Sequence, residues 1–424
     1  MPGMGAGGAL QLDTMRHLML ATGQLCLLIT VGHAQALTPA ADDLDLHGML
    51  GTLAGAVSGG GKGVTIDGPA VLRAEDRHVW GGSVIRGEDG RYHMFVSRFR
   101  AGPESRGFAD EWLLSSEIAH AVSDHPDHGY EFTGVVLRGR LHDGDPKAWD
   151  ARTVHNPHVR RFGDRVYLYY IGSYDPGPQP EGSPGASLND RNRIQQVQQV
   201  GVVSAATVAD LAAGRFDRPD RPLLGPRTRV KAKDVIAPSP PGTVPLPDNM
   251  IVVNPSVVRR PADGSYLLYF KGNLYDPRWR GVHGVAIGDA PDGPFTALDR
   301  FVFDVRMDDG RLASAEDPFV WHDAGRHRFY AIVKDFSGRM TGGTPALALL
   351  TSIDGLEWHP AAHPLVTEKQ LRLADDTVLA VRNLERPQLL FDADGRPRTM
   401  FCACIVGPDN TGPAINVQIP LQPR

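Results

Sequence analysis

The chain has 424 residues, a formal net charge of −5, 22% charged and 42% hydrophobic residues. That is the composition of a globular protein with apolar residues for one large core or two modest ones. Mild acidity argues against a nucleic-acid partner, which favours a basic surface, and beyond residue 36 no stretch approaches the roughly 20 apolar residues of a membrane span.

In chain order the first element is an N-terminal leader. Arg16 and His17 precede the apolar run LMLATGQLCLLITVGHAQA, which closes on Ala34-Gln35-Ala36, a small-x-small cleavage pattern. Residues 1–36 therefore read as a secretory signal peptide, which predicts a periplasmic or secreted protein. Met15 also fits as a start, because MRHLML makes a short n-region. Residues 37–62 read as an N-terminal linker and 63–424 as one catalytic domain. Cys26 falls inside the leader. Cys402 and Cys404, two apart on a strand, point the same way and are poorly placed for a bridge, so an exported fold without disulfides is expected.

From Trp80 onward one pattern recurs. A polar pair, often followed by Pro, opens an apolar strand; a Gly turn leads to an aromatic-rich second strand, and a third strand follows. The copies are WGGSVIRGEDGRYHMFVSRF from Trp80, HNPHVRRFGDRVYLYYIGS from His155, VNPSVVRRPADGSYLLYFKGN from Val253, EDPFVWHDAGRHRFYAIVKD from Glu316 and ERPQLLFDADGRPRTMFCAC from Glu385. In each, a short Gly-containing turn separates two alternating runs, as a hairpin requires. Third strands are predicted in EIAHAVSDHPDHGYEF, QVGVVSAATVADL, VAIGDAPDGPFTAL and LALLTSIDGLEWHP, and short fourth strands in GVVLRG, RPLLG, FVFDV and HPLV. The stretches from Asp175 to Asn189 and from Arg227 to Asp248 read as loops. The last copy ends in INVQIPL, and the N-terminal GVTIDGPAVL is placed to supply its fourth strand and tie a ring shut. Five such units closing radially predict an all-β fold, a five-bladed β-propeller with a central funnel. A pair of β-sandwiches would not explain why the polar pair heads every first strand.

In a propeller the innermost strands line the funnel, so the polar pairs converge on one pocket: Gly81-Gly82, His155-Asn156, Val253-Asn254, Glu316-Asp317 and Glu385-Arg386. Convergent polar groups in a concave site are the default catalytic hypothesis. The second strands, aligned on their aromatic cores, deliver Arg98, Lys271 and Lys334 to one level. With Arg386 these cations either neutralise Glu316, Asp317 and Glu385 or hold a carboxylate or sulfate on a substrate. Glycosidic hydrolysis needs one carboxyl to donate a proton to the leaving oxygen and one carboxylate to activate water or attack. Alternation along a strand turns Glu316 and Asp317 to opposite faces, which leaves Glu385 as the natural partner. Glu117 is within reach of the rim, His120 reads as a structural histidine, and Asp76 and Asp150 are candidate early-blade carboxylates. Trp80 and Trp112 are placed to stack on a sugar or to pack in the core. No His/Cys set has zinc spacing, and no Walker loop, dinucleotide loop or nucleophile elbow is present.

Together WGGSVIRGEDGRYHMFVSRF, SEIAHAVSD, HNPHV, NPSVV, AEDPFVW, VKD and LERPQLLF resemble exported bacterial glycoside hydrolases, similar to the five-bladed propeller group that includes families 43, 62, 32, 68 and 117. Family 43 implies an Asp in an Asp-Pro strand as base, an Asp that tunes pKa, and a Glu two residues before a Pro as acid. Asp317 matches the first element, and Glu316 and Glu385 both match the last. Gly82-Ser83 stands where the first-blade Asp-Pro is expected. Family 117 implies a histidine acid, which keeps His155 a candidate.

The expectation is an exo-acting, inverting glycosidase acting on plant or algal oligosaccharides, with an anionic or anhydro sugar in view. Glu385 or Glu316 is the acid; Asp317, Asp76 or Asp150 is the base or tuner. Arg98, Lys271, Lys334 and Arg386 shape the subsite, Asn156 and Asn254 bond sugar hydroxyls, and His155, Glu117 and Trp80 complete it. No cofactor is required, although a structural calcium in the funnel is compatible. The partner is an oligosaccharide, not nucleic acid or membrane, and the protein is a monomer or small homo-oligomer. Alternatives are a glycoside phosphorylase and a non-catalytic glycan-binding propeller.

Overall fold

The computed structural model describes residues 42–60, 63–408 and 412–422. The expected signal peptide, with Cys26, lies outside the described residues. Five antiparallel sheets follow one another along the chain. Blade one comprises Arg77–Arg86, Tyr92–Arg100, Glu117–Ser123 and Glu131–Leu137; blade two comprises Thr153–Phe162, Arg165–Ser173 and Gln199–Ala205. Blade three runs Val253–Arg259, Tyr266–Tyr275, Trp279–Gly288 and Phe295–Ala297, and blade four Ala315–Asp323, Arg328–Asp335, Ala346–Ser352 and His359–Thr367. Blade five takes Asn383–Phe391, Pro397–Ile405 and Ala414–Pro420 from the C-terminal part and its outer strand, Val71–Leu72, from the N-terminal part. Pairing of Asn416 with Leu72 and Val417 with Val71 closes the ring.

The middle strands are covered on both faces, which explains why they read as nearly unbroken apolar runs rather than strict alternations. Arg328–Asp335 is buried from Phe329 onward, and Ala346–Ser352 is buried throughout. Every pair of facing blades shares an apolar cluster. Ile118 and Val154 meet between blades one and two, Val202 and Leu268 between two and three, and Tyr269 and Ala331 between three and four. Ile332 and Met400 meet between blades four and five, and Phe401 and Met94 between five and one. Cys402 and Cys404 are free and buried in blade five.

Four expectations about the periphery are corrected. RPLLG does not form a fourth strand in blade two; Leu224 makes only a single bridge to Val200, because prolines and turns dominate that edge. In blade three the outer strand is Phe295–Ala297, ahead of FVFDV, of which Val302 makes one bridge to His283. Residues 42–60 are not a linker. Leu44, Leu46 and Leu53 are buried in the cluster between blades four and five, Leu50 bridges Leu421, and the Tyr330 hydroxyl donates to Asp42 Oδ1. Within GVTIDGPAVL only the end joins blade five; Thr65–Asp67 pairs with Ala56–Ser58 instead.

Candidate active site

The polar pairs are built by one backbone device repeated in every blade. Each inner strand loses register with its neighbour at the pair, between Trp80 and Gly82, His155 and His158, Val253 and Ser256, Glu316 and Phe319, and Glu385 and Gln388. At the centre of each irregularity stands a left-handed residue: Gly81, Asn156, Asn254, Asp317 and Arg386, with φ between 52° and 59°. Gly, Asn and Asp tolerate that conformation. Arg386 does not, and holding a residue of its kind there costs about 1–2 kcal/mol. The equivalent pair in blade one is therefore Trp80-Gly81, and Gly81-Gly82 occupies the place of the Asp-Pro in blade four.

The bulge overturns the expectation that Glu316 and Asp317 face opposite ways. Both line one cavity, as do His155 with Asn156, Val253 with Asn254, and Glu385 with Arg386. Below it the left-handed side chains form a hydrogen-bonded ring around the axis. Asn156 Nδ2 donates to Asn254 Oδ1 at 2.9 Å, and Asn254 Nδ2 to Asp317 Oδ1 at 2.8 Å. The Arg386 amide donates to Asp317 Oδ2 at 3.1 Å, and its guanidinium to Oδ1 at 3.3 Å. Arg386 then packs over Gly81, where an added Cβ would stand 3.2 Å from its side chain. One layer deeper lie Ser83, His158, Ser256, Phe319 and Gln388. Ser83 and His158 both bond Gln388 Oε1, and the Val257 and Val320 amides donate to His158 and Ser256.

Above the ring the charges are paired across blades. Lys271 binds Glu316, and Lys334 binds Glu385 and stands 3.9 Å from Glu316 Oε2. Asn383 Nδ2 also donates to Glu385 at 2.6 Å. Burial alone would raise the Glu316 pKa, but Lys271, then Lys334 and Arg386, outweigh it and hold the carboxyl at about 2. Asp317 goes the other way: burial pushes it up to about 6, against the pull of Arg386 and with the push of Glu316 and Glu385. Burial would discharge Lys334, yet Glu385, Glu316 and Asp317 raise its pKa and keep it an ammonium. Burial, reinforced by Arg386, lowers His155 to about 3, so its imidazole is neutral and not a store of protons. Its Nε2 meets the Gln198 amide at 3.0 Å, while its Nδ1 and the Arg386 Nε are buried without a partner.

The opposite wall is apolar. Trp80, Phe99, Phe108, Trp112, Ile171, Ile251 and Val253 face the carboxylates across a cavity of about 220 Å³. Trp112 meets the His155 ring edge-on, and Phe108 packs edge-on against Trp80. The helix Phe108–Leu114 that carries Phe108 and Trp112 was not read from the sequence; FADEWLL is an amphipathic segment of about two turns between two strands. Ser97, Gln195 and Gln198 were also missed.

Several sequence-predicted residues fall outside this cavity. In the register of the second strands, Ser97, Ile171, Lys271, Lys334 and Ala403 oppose the five leading residues. Arg98 is one position off, so it points to the other face, where it and Arg138 clamp Glu117. Neither Arg98 nor Glu117 lines the cavity. Asp76 is an exposed partner of Arg77. Asp150 is fully buried, but beside blade two, where it accepts from Tyr170 and Arg218 at 2.7 Å. His120 is stacked on His93, its pKa lowered to about 4 by burial. Among the described residues no group of three or more His, Cys, Asp or Glu is arranged to hold a metal ion.

No family profile matches the chain, nor does any curated protein sequence. Solved structures do match. The chain is similar to a thermostable family-43 glycoside hydrolase with a TM-score of 0.51 at 11% identity, covering 81% of this chain and 89% of that one. What the two share is the fold, here a five-bladed β-propeller. A further structure described as a glycoside hydrolase gives TM-score 0.55 and 11% identity over 89% and 93% of the two chains. Zg3597, a family 117 glycoside hydrolase of the marine bacterium Zobellia galactanivorans, is similar at TM-score 0.49 and 18% identity over 88% and 89%. At such identities the likeness is one of propeller fold, and the chemistry is read from the cavity.

Proposed function

We propose that the chain is an exported, exo-acting glycoside hydrolase that cleaves plant or algal oligosaccharides bearing an anionic or anhydro sugar, with inversion. The observation that carries the reading is the meeting of Glu316, Asp317 and Glu385 in one axial cavity opposite an aromatic wall. An apolar platform suits the face of a sugar ring, and paired carboxyls suit its glycosidic bond. The stacked rings of side chains below make the cavity a dead end, which fits removal of a terminal unit.

The roles follow from the surroundings of each group. Lys271 and Lys334 keep Glu316 ionised, which suits a base that activates water. Both oxygens of Asp317 are engaged by Asn254 and Arg386, which suits a residue that sets the local charge rather than one that transfers a proton. That leaves Glu385 to protonate the leaving oxygen, a role that requires the bound substrate to loosen its contact with Lys334. Lys334 touches both glutamates and couples a charge change at one to the other. The unpartnered Arg386 Nε and His155 Nδ1 are donors or acceptors for a sugar substituent. The reaction as proposed draws on carboxylates alone and requires no cofactor.

Glu385→Gln tests the assignment. It is expected to lower kcat on an active oligosaccharide by about 10²- to 10⁴-fold, with a lower melting temperature because buried Lys334 loses its nearest carboxylate. Full hydrolysis by the variant would remove Glu385 as the acid. NMR of the first-formed anomer decides stereochemistry, a retained anomer ruling out inversion, and mass spectrometry of the exported protein checks cleavage after Ala36. The pairing of every carboxylate with a cation favours a second reading, a non-catalytic glycan-binding propeller. Binding without turnover, in the presence and absence of phosphate, would select it; turnover only with phosphate would select a phosphorylase.

A further inference from the structure

The axial cavity does not end at Glu316. A second and larger cavity, about 740 Å³, opens beside it. Gln195, Ile251, Lys271 and Glu316 line both, so the two adjoin at these side chains. Its walls come from the segments that interrupt the propeller repeat: the helix Asp190–Gln195, the insertion that carries Lys231 and Asp234, and the strand ends at Asn273, Trp279 and Phe336.

The lining is unlike a surface crevice. Trp279 is 47% exposed and Phe336 is 43% exposed, two of the few large apolar side chains the described surface leaves open. Lone exposed apolar residues need no explanation, but two aromatic rings in one concave groove do. Each is accompanied by a cation. Lys231 Nζ lies 4.7 Å from the Trp279 ring centre and 5.4 Å from that of Tyr275, and Lys334 Nζ lies 4.2 Å from the Phe336 ring centre. Lys334 is already committed to Glu385. Lys231 instead lies over two aromatic rings and lines the groove. Asn192, Gln195 and Asn273 add amides to the same lining, the first two bonded by the Arg191 guanidinium that also lines it. Flat apolar rings, amides and one uncommitted ammonium are the complement of a sugar chain that carries a carboxylate or sulfate.

We propose that this groove binds the remainder of an anionic oligosaccharide whose terminal unit occupies the axial cavity, with sugar rings stacked on Trp279 and Phe336 and an acidic substituent held by Lys231. The inference rests on the glycosidase reading for the position of the terminal unit. It adds that the chain distinguishes substrates by length and by charge at a site formed by its own insertions.

The test uses calorimetric Kd values for the catalytically silenced Glu385→Gln protein. The probes are a uronic-acid monosaccharide, the corresponding trisaccharide and the carboxyl-reduced trisaccharide. The acidic trisaccharide is expected to bind at least tenfold more tightly than the monosaccharide. Adding Trp279→Ala is expected to remove about tenfold of that gain and to leave monosaccharide binding unchanged. Adding Lys231→Gln is expected to weaken the acidic trisaccharide about tenfold and the reduced one by less than twofold. A trisaccharide that binds no better than the monosaccharide overturns this proposal while leaving the axial site standing. So does a Trp279→Ala variant, with an unchanged melting temperature, that weakens all three probes equally. Failure of every probe to bind overturns both readings together.

Discussion

Arg386 shows how a single residue is held against its own preference. Its left-handed backbone is unfavourable for a residue with a Cβ, yet its guanidinium and amide both bind Asp317, and both side chains are 4% exposed. Removing one partner of such a pair leaves the other charge buried and alone. Asp317→Asn is therefore expected to cost about 3–5 kcal/mol of stability, read as a lower urea midpoint; a loss under 1 kcal/mol would mean that the ring does not hold the funnel together. Glu316 contributes an acid-labile part of the stability. Its folded pKa of about 2 lies below its ordinary 4.5, so as the pH falls the unfolded chain takes up the proton first. The stabilisation is whole above about pH 4.5 and disappears as the pH approaches 2. Glu316→Gln is expected to flatten the stability profile across that window by up to about 3 kcal/mol; an acid limb as steep as the parent's would contradict the pairing with Lys271 and Lys334.

At the scale of the strand, the bulge decides which side chains reach the axis. Alternation alone puts Glu316 and Asp317 on opposite faces; one extra residue per inner strand brings both to the same cavity. The NP, NP, DP and RP dipeptides that mark it were legible in the sequence, but their left-handed geometry was not, because Asn and Asp occur as readily in turns and caps. The same shift explains the misplacement of Arg98. Aligning second strands on aromatic content puts it beside Lys271, whereas the hydrogen-bond register puts Ser97 there, and one position is enough to change face. Gly81→Ala tests the device where it is most constrained. With φ at 59° and Arg386 3.2 Å away, it is expected to destabilise the fold by about 1–2 kcal/mol. A melting temperature equal to the parent's would show that the ring tolerates a methyl group at blade one.

For the whole molecule, closure of the ring depends on residues far apart in the chain. Val71–Leu72 completes blade five, and residues 42–60 cover the joint between blades four and five. Leu53, 1% exposed, belongs to that cover. Leu53→Ala is expected to cost about 2–5 kcal/mol in thermal or urea unfolding, where a residue of a true linker would cost almost nothing. The sequence by itself determined the blade count, the order of the first three strands of each blade and the closing role of its N-terminal part, because each rests on local patterns of apolar alternation and turn chemistry repeated along the chain. It also marked Glu316, Asp317, Glu385, Arg386, Lys271, Lys334, His155 and Asn254 as heads or tails of strands that meet at one axis. Only the tertiary structure decided that Asp150 and Glu117 serve other ion pairs, that Phe108 and Trp112 wall the cavity, and that neighbouring residues of one strand share it. Those facts depend on register, bulges and the packing of insertions, which are set by contacts between separate segments, 19 residues apart for Arg98 and Glu117 and 68 for Arg218 and Asp150, and leave no periodic trace along the chain.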